Sequence, residues 1–546
     1  MKNFKYIIRK NLWLISVYML TGIFVAFLLN FNANYFQILT DRFSDGTLTF
    51  TAIAVYCFTL TLMCAANYFD NYPDKRLSNG VYLDFKLLAL RKISVIDYLS
   101  YVNIGTGELI QRVENGAAAG KSILVDFMLR LFRELLPSMI FSMIFIMNIN
   151  KNIMFAMLAG YVLVFIVTNL LLKALYKIKE KILTDEESFS SVFVRGLSEM
   201  VTFRINRRFK REIQKAEEAS GEIVLSKVKM TLIHEAFFTV FALIVIFIKI
   251  SLILYAWLTR ELSVGEVIAL LALIDNAYTP IAIFNVLYVQ FKLDKAAFKR
   301  FSDFLSLDDD KRINSGGAAP DTIDGVEFKN ISFAYGGKRL IQDMNYHINL
   351  GEKIAIVGES GSGKSTILKL LTGLIKPDNG EILINGQRLS EMNLTDYYGH
   401  IVYISQDVPI FEGTLRENIV FDKIVSDEEI ISALDEVCLK EFYKKAKEGL
   451  DTRIGERGAN ISGGERQRLA LARLWFTDAD LVILDEATSA MDAAMEKAVM
   501  RAVMRKLEDK AVIMVSHRLG ILSDFNKIIK LNNGKVTDSD KVDFLS

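Results

Sequence analysis

Apolar residues run in long blocks over roughly the first 300 positions and in short ones after that. Six blocks approach the ~20 residues a helix needs to cross a bilayer: Leu12–Phe31, Phe50–Phe69, Leu131–Met147, Ile153–Leu172, Phe237–Leu258 and Val264–Val289. They predict six transmembrane helices. Pro137 interrupts the third, and Arg133 and Glu134 stand at its start. The stretches Tyr82–Leu99 and Glu187–Lys229 hold helix formers and no proline, so they read as helices continuing out of the membrane. At 307–321 the pattern breaks into acids, glycines and a proline, a linker in which Asp308–Asp310 read as solvated charges. Beyond it Val326–Tyr335 alternates like a strand. The runs Lys353–Val357, Leu481–Leu484 and Val512–Val515 are short and continuously apolar, as buried parallel strands are. The expected division is a membrane domain over 1–306, a linker over 307–321 and an α/β domain over 322–546.

Charge orients this plan. Lys and Arg number 65 against 64 Asp and Glu, so no net field draws the chain to nucleic acid. The short connections between helices one and two, three and four, and five and six hold one cation each: Arg42, Lys151 and Arg260. Residues 173–235 hold 13, and Lys2, Lys5, Arg9 and Lys10 precede the first helix. The positive-inside rule then places the N-terminus and the α/β domain in the cytosol. The first apolar run is longer than a signal-peptide core and is read as a retained helix. Three cysteines imply no disulfide framework and read as buried thiols. The cluster Arg204, Arg207, Arg208, Lys210 and Arg211 reads as a solvated helix face, and Met139, Met143 and Met147 as ordinary packing.

Two charges lie inside the predicted membrane. Lys249 and Asp275 are each 13 positions from the turn near Leu262, so they fall at similar depth. Charges there usually face protein or water and pair. The two are candidates to pair, or to meet a polar part of a transported molecule. The plainer reading is that Lys249 snorkels and Asp275 caps the backbone freed by Pro280.

The chemistry sits in the second half. Gly358-Glu-Ser-Gly-Ser-Gly-Lys364-Ser365 fits the P-loop pattern, after an apolar strand and before the helical stretch from Thr366. The backbone of Gly358, Ser360, Gly361 and Gly363 can wrap phosphate, Lys364 can reach its outer oxygens, and the Ser365 hydroxyl suits magnesium. Asp485 and Glu486 end the apolar run Leu481–Leu484. Asp485 is placed for magnesium and Glu486 to activate a water, where a lone acid pair would read as a helix cap. Ile461-Ser462-Gly463-Gly464-Glu465 precedes a helical stretch and makes a second phosphate-facing helix start.

On these motifs the second half resembles the nucleotide-binding domain of the ABC (ATP-binding cassette) transporters, and the six-helix first half resembles their exporters. The resemblance implies that Tyr335 stacks on adenine and that Gln406 senses magnesium and the γ-phosphate. It likewise implies that Ser489–Asp492 communicates across a dimer and that His517 is the switch histidine. Thr452–Gly458 resembles the segment that meets the cytosolic helices. Gly105–Val113 is similar to the first coupling segment, and Leu262–Val267 to the start of the sixth helix. The implied ligands are ATP and Mg2+, with Ser365, Gln406 and Asp485 around the metal and Thr366 beside the phosphates. The implied assembly is a homodimer in the lipid bilayer, or a heterodimer with a second half-transporter. It would export a lipid, an amphipathic drug or a small peptide across a bacterial cytoplasmic membrane. The rival reading is a regulatory or sensor half of a heterodimer. The chain departs from the family pattern at Glu465, where a glutamine is usual, at Ile461, where leucine is, and in lacking an aspartate around Glu114–Gly116.

Overall fold

The computed structural model describes residues 2–539, apart from 163, 165–177, 179–180, 183–184, 187–188, 190–191, 194, 197–198, 422, 447, 456–460, 517 and 533. The chain forms two compact units. One comprises Met1–Lys92 and Ile104–Leu307, the other Ile93–Asn103 and Asp308–Ser546.

The first unit is helical. Among the described residues, four helices are long and apolar enough to cross a membrane: Leu12–Ser44, Phe50–Ile93, Phe209–Thr259 and Val264–Leu305. The third apolar run differs from a plain helix. It follows π-helical segments Ser122–Leu129 and Leu131–Leu135 and becomes α-helical from Leu136 to Ile149. Pro137 stands in the first turn of that α-helix, directly after the wider π turns, which shift the helix register ahead of a residue that has no N–H to donate. The fourth run is helical over 151–162, and most of its second half lies outside the described residues.

The Val264–Leu305 helix is the core of this unit. It starts on a capping box in which Ser263 and Glu266 satisfy each other's backbone N–H. It buries Leu270, Leu273, Ile274, Ala277 and Tyr278 among residues of neighbouring helices. Further along, Phe298 and Phe301 pack with Phe85 at ring separations of 5.5 and 6.1 Å. Gly120 admits that cluster, since a Cβ there would lie 2.6 Å from the Phe85 ring. A polar clamp ties three of the helical segments. Arg133 pairs with Asp70 and lies 3.8 Å from the centre of the Tyr18 ring, and the Tyr18 hydroxyl donates to Asp74 at 3.0 Å.

The second unit is built on two sheets. Strands β1 (Gly325–Tyr335), β2 (Lys338–Asn349), β4 (Asn379–Ile384) and β5 (Gln387–Arg388) form an antiparallel sheet in the order β2-β1-β4-β5. The larger sheet uses β3 (Lys353–Gly358), β6 (Ile401–Ile404), β9 (Leu481–Asp485), β10 (Ala511–Val515), β11 (Lys527–Asn532) and β12 (Lys535–Ser539). Its order is β12-β11-β3-β10-β9-β6, parallel except at β12. The short strands β7 (Gly413–Thr414) and β8 (Arg453–Ile454) pair separately. The central strands are continuously apolar over Ile354–Val357, Leu481–Leu484 and Ala511–Val515 because each face meets a different core. Ala355, Val482, Leu484, Val512 and Met514 enter one cluster, while Ile354, Ile356, Leu481, Ile483 and Ile513 enter the other.

Several expectations need correcting. Asp310 is buried, not solvated: it accepts from Arg312 at 2.6 Å, and Arg312 donates onward to the Gly373 carbonyl at 2.7 Å. Burial of one charge demanded a partner, and the partner is two residues away. The stretch Tyr82–Leu99 is not one helix. The long helix ends at Ile93, and a separate short helix spans Tyr98–Ile104. Tyr98 and Leu99 pack on the second unit's core, and Lys369 sits 5.6 Å over the Tyr98 ring. The segment lying with that unit is therefore 93–103, ahead of the Gly105–Val113 stretch named from resemblance. All three cysteines are exposed. Cys57 and Cys64 lie on the outer face of an apolar helix, where exposure in the single chain costs nothing if lipid covers it.

Candidate nucleotide site

Strand β3 ends at Gly358, and the chain turns through a loop into the Lys364–Leu371 helix. Gly361 has φ +80° and Gly363, the helix N-cap, φ +109°, a region side chains rarely enter. A Cβ at Gly363 would also come 3.1 Å from the Leu340 carbonyl oxygen, so the β1–β2 hairpin carrying Tyr335 runs beside the loop. Tyr335 is partly exposed at the end of β1 and packs edge-on against Phe333. Ser360 stands in the loop, and Thr366 is buried in the first turn of the helix. Lys364 folds back so that Nζ donates to the Gly358 and Glu359 carbonyls at 2.9 and 2.8 Å. Burial pushes its ammonium down from the usual range, and Glu486 and Asp485 oppose that shift.

Two acids face the loop from β9. Asp485 accepts from the Ser365 hydroxyl at 3.3 Å and from the Tyr403 hydroxyl at 3.1 Å. Burial pushes its carboxyl up, and those two donors draw it down. A cation beside it would relieve the burial cost. One carboxylate and one hydroxyl suit magnesium, which keeps most of its shell for water and phosphate. Among the described residues no group of three or more His, Cys, Asp or Glu side chains could make a closed metal cage. Glu486 follows with φ +49°, strained for a residue with a side chain. Its N–H donates to the Val515 carbonyl at 3.2 Å, which holds it at the C-terminal end of β9. Gln406, just past β6, donates through Nε2 to the Glu486 carboxylate at 3.0 Å. Thus Lys364, Ser365, Gln406, Asp485 and Glu486 converge, while His517 lies outside the described residues.

Ser462, Gly463 and Gly464 open the Gly463–Ala472 helix, with Ser462 as N-cap. The helix is tied to the acids from behind. Gln467 donates to the Ser489 hydroxyl at 3.0 Å and accepts from the Ala490 N–H at 2.8 Å. Arg518 donates to the carbonyls of Ser489 and Met491 at 2.8 and 2.6 Å. The sequence alone assigns no role to Gln467, Arg518 or Tyr403. Each bonds to residues far from it in sequence, which leaves no local pattern. Only the placement of Tyr403 three residues before Gln406 could have drawn attention to it.

In the helical unit, Lys249 and Asp275 form an ion pair at 2.7 Å. The face of the Val264–Leu305 helix around Asp275 exposes Ala272 and Thr279, small or polar side chains. The Phe209–Thr259 helix exposes Phe247, Ile250 and Trp257.

Residues 341–489 match the family described as ABC transporter. An uncharacterized ABC transporter ATP-binding protein of Bacillus subtilis is 33% identical over 51% of this chain, a match that spans 49% of that relative. A putative export ATP-binding/permease protein of Rickettsia typhi is 27% identical over 90% of this chain and 87% of its own length. The fold is that of a solved bacterial Atm1-family ABC exporter, with a TM-score of 0.81 and 21% identity over 98% of this chain and 96% of the other.

Proposed function

We propose that two copies of this chain, whose residues 341–489 match the ABC transporter family, form an exporter driven by ATP in the cytoplasmic membrane. The N-terminus and the nucleotide-binding unit face the cytosol. The membrane domain is residues 1–306 and the nucleotide-binding domain 322–546, joined by 307–321. The observation that carries the reading is the convergence of Ser365, Tyr403 and Gln406 on the adjacent acids Asp485 and Glu486 at the mouth of a P-loop.

In this reading the loop amides and Lys364 bind the phosphates of ATP, and Tyr335 stacks on the base. Bound magnesium supplies charge neutralisation at the terminal phosphate and would be held by Ser365 and Asp485, near Gln406. Glu486 orients and deprotonates the attacking water, with Gln406 fixing its carboxylate and His517 completing the γ-phosphate contacts. Ser462, Gly463 and Gly464 bind the ATP held by the partner subunit's P-loop, since each chain has one of each element. Binding closes the pair and hydrolysis releases it, a ligand biasing a two-state equilibrium. The cargo is an amphipathic molecule, a lipid, drug or small peptide, with Lys249 and Asp275 available to its polar part.

The test is Mg-ATP turnover by the full chain in lipid nanodiscs, with each cargo class added in turn. Turnover raised by one class supports the reading. A folded protein that turns over no ATP under any of them overturns it.

A further inference from the structure

Glu465 stands where its charge works against the role just given to Ser462. Its carboxylate oxygen Oε2 accepts from the Ser462 N–H at 2.8 Å and from the Ser462 hydroxyl at 2.7 Å. Its own N–H donates back to Ser462 Oγ at 3.2 Å. A serine hydroxyl has one proton. Once that proton is given to Glu465, Ser462 Oγ can show a phosphate oxygen only lone pairs. Two of the donors at this helix start are thereby engaged, and an anion lies beside the place where a second anion is to bind. Hydrogen bonds to a carboxylate are about twice as strong as neutral ones, so the competition is not trivial.

We propose that Glu465 is a positioning residue that restrains closure on ATP: it holds the Ser462 hydroxyl, and nucleotide is gripped across the dimer only as that hydrogen bond is exchanged for one to phosphate. The inference rests on the nucleotide-site reading above. It asks for more than a helix cap, because Ser426 and Glu429 form a box of the same geometry, hydroxyl to carboxylate 2.7 Å, outside the nucleotide motifs. A residue that only caps its helix would behave at Glu465 as at Glu429.

Glu465→Gln separates the two. The amide oxygen can still accept the Ser462 N–H and keep the helix start, but it carries no charge and competes less well for the hydroxyl. In the full chain in nanodiscs, Glu465→Gln is expected to lower the KM for ATP roughly three- to tenfold with little change in kcat. Glu429→Gln is expected to change neither. Glu465→Ala, which removes the box, is expected to lower KM as well if it folds, and Glu465→Gln decides the matter if it does not. An unchanged or raised KM in Glu465→Gln, with turnover intact, overturns the proposal and leaves the site reading standing. Loss of turnover in wild type and variants alike overturns the site reading and the proposal with it.

Discussion

At the scale of single residues, the site divides its labour between neighbours in sequence. Asp485 is buried and held by two hydroxyls, while Glu486 is turned by a positive φ toward Gln406. That division predicts different losses. Glu486→Gln should keep ATP binding and lose hydrolysis by about 100-fold or more. Lys364→Ala should instead weaken ATP binding, which a nucleotide-binding titration separates from turnover. Near-normal hydrolysis by Glu486→Gln would remove it from the role of base. Tyr403→Phe is subtler. The tyrosine donates to Asp485 and helps keep it ionised, and its own hydroxyl is pushed up by burial. Without that donor, the Asp485 carboxylate keeps only the Ser365 hydroxyl to orient it and is less well placed for a cation. The Mg2+ needed for half-maximal turnover should rise about two- to tenfold. A magnesium titration that superimposes on wild type would show that Tyr403 serves packing alone.

At the scale of elements, the local patterns carried a great deal. The P-loop, the Asp-Glu strand end and the Ser-Gly-Gly helix start are each written in fewer than ten consecutive residues and are legible without the structure. The pairs Asp70–Arg133 and Asp310–Arg312 are not legible in this way. Burial decides such pairs, and burial depends on what packs above them, which no window of sequence contains. The π-helical stretch before Pro137 was equally hidden, because the proline marks a disturbance without saying how the helix absorbs it. Two element-scale predictions follow from packing. Gly120→Leu would force a side chain into Phe85 and Phe298 and should cost about 1–3 kcal/mol. A thermal melt of the purified variant would register it as a lowered transition. Lys249 and Asp275 join two helices at 2.7 Å. Lys249→Asp and Asp275→Lys should each impair substrate-stimulated turnover, and the double exchange should restore part of it. Normal stimulation in both single variants would leave the pair without a functional role.

At the scale of the whole molecule, the central claim is that no single chain holds a complete ATP site. One chain presents its P-loop and acids in one place, and its Ser462 hydroxyl bonds within its own helix start. The direct test uses two inactive variants, Lys364→Ala and Ser462→Arg, purified apart and then reconstituted together in nanodiscs. A mixed dimer holds one site with both defects and one site with neither. Neither variant alone should hydrolyse ATP, and co-reconstitution should restore turnover. Failure of the mixture to recover, although cross-linking shows that mixed dimers have formed, would contradict a site shared between two copies.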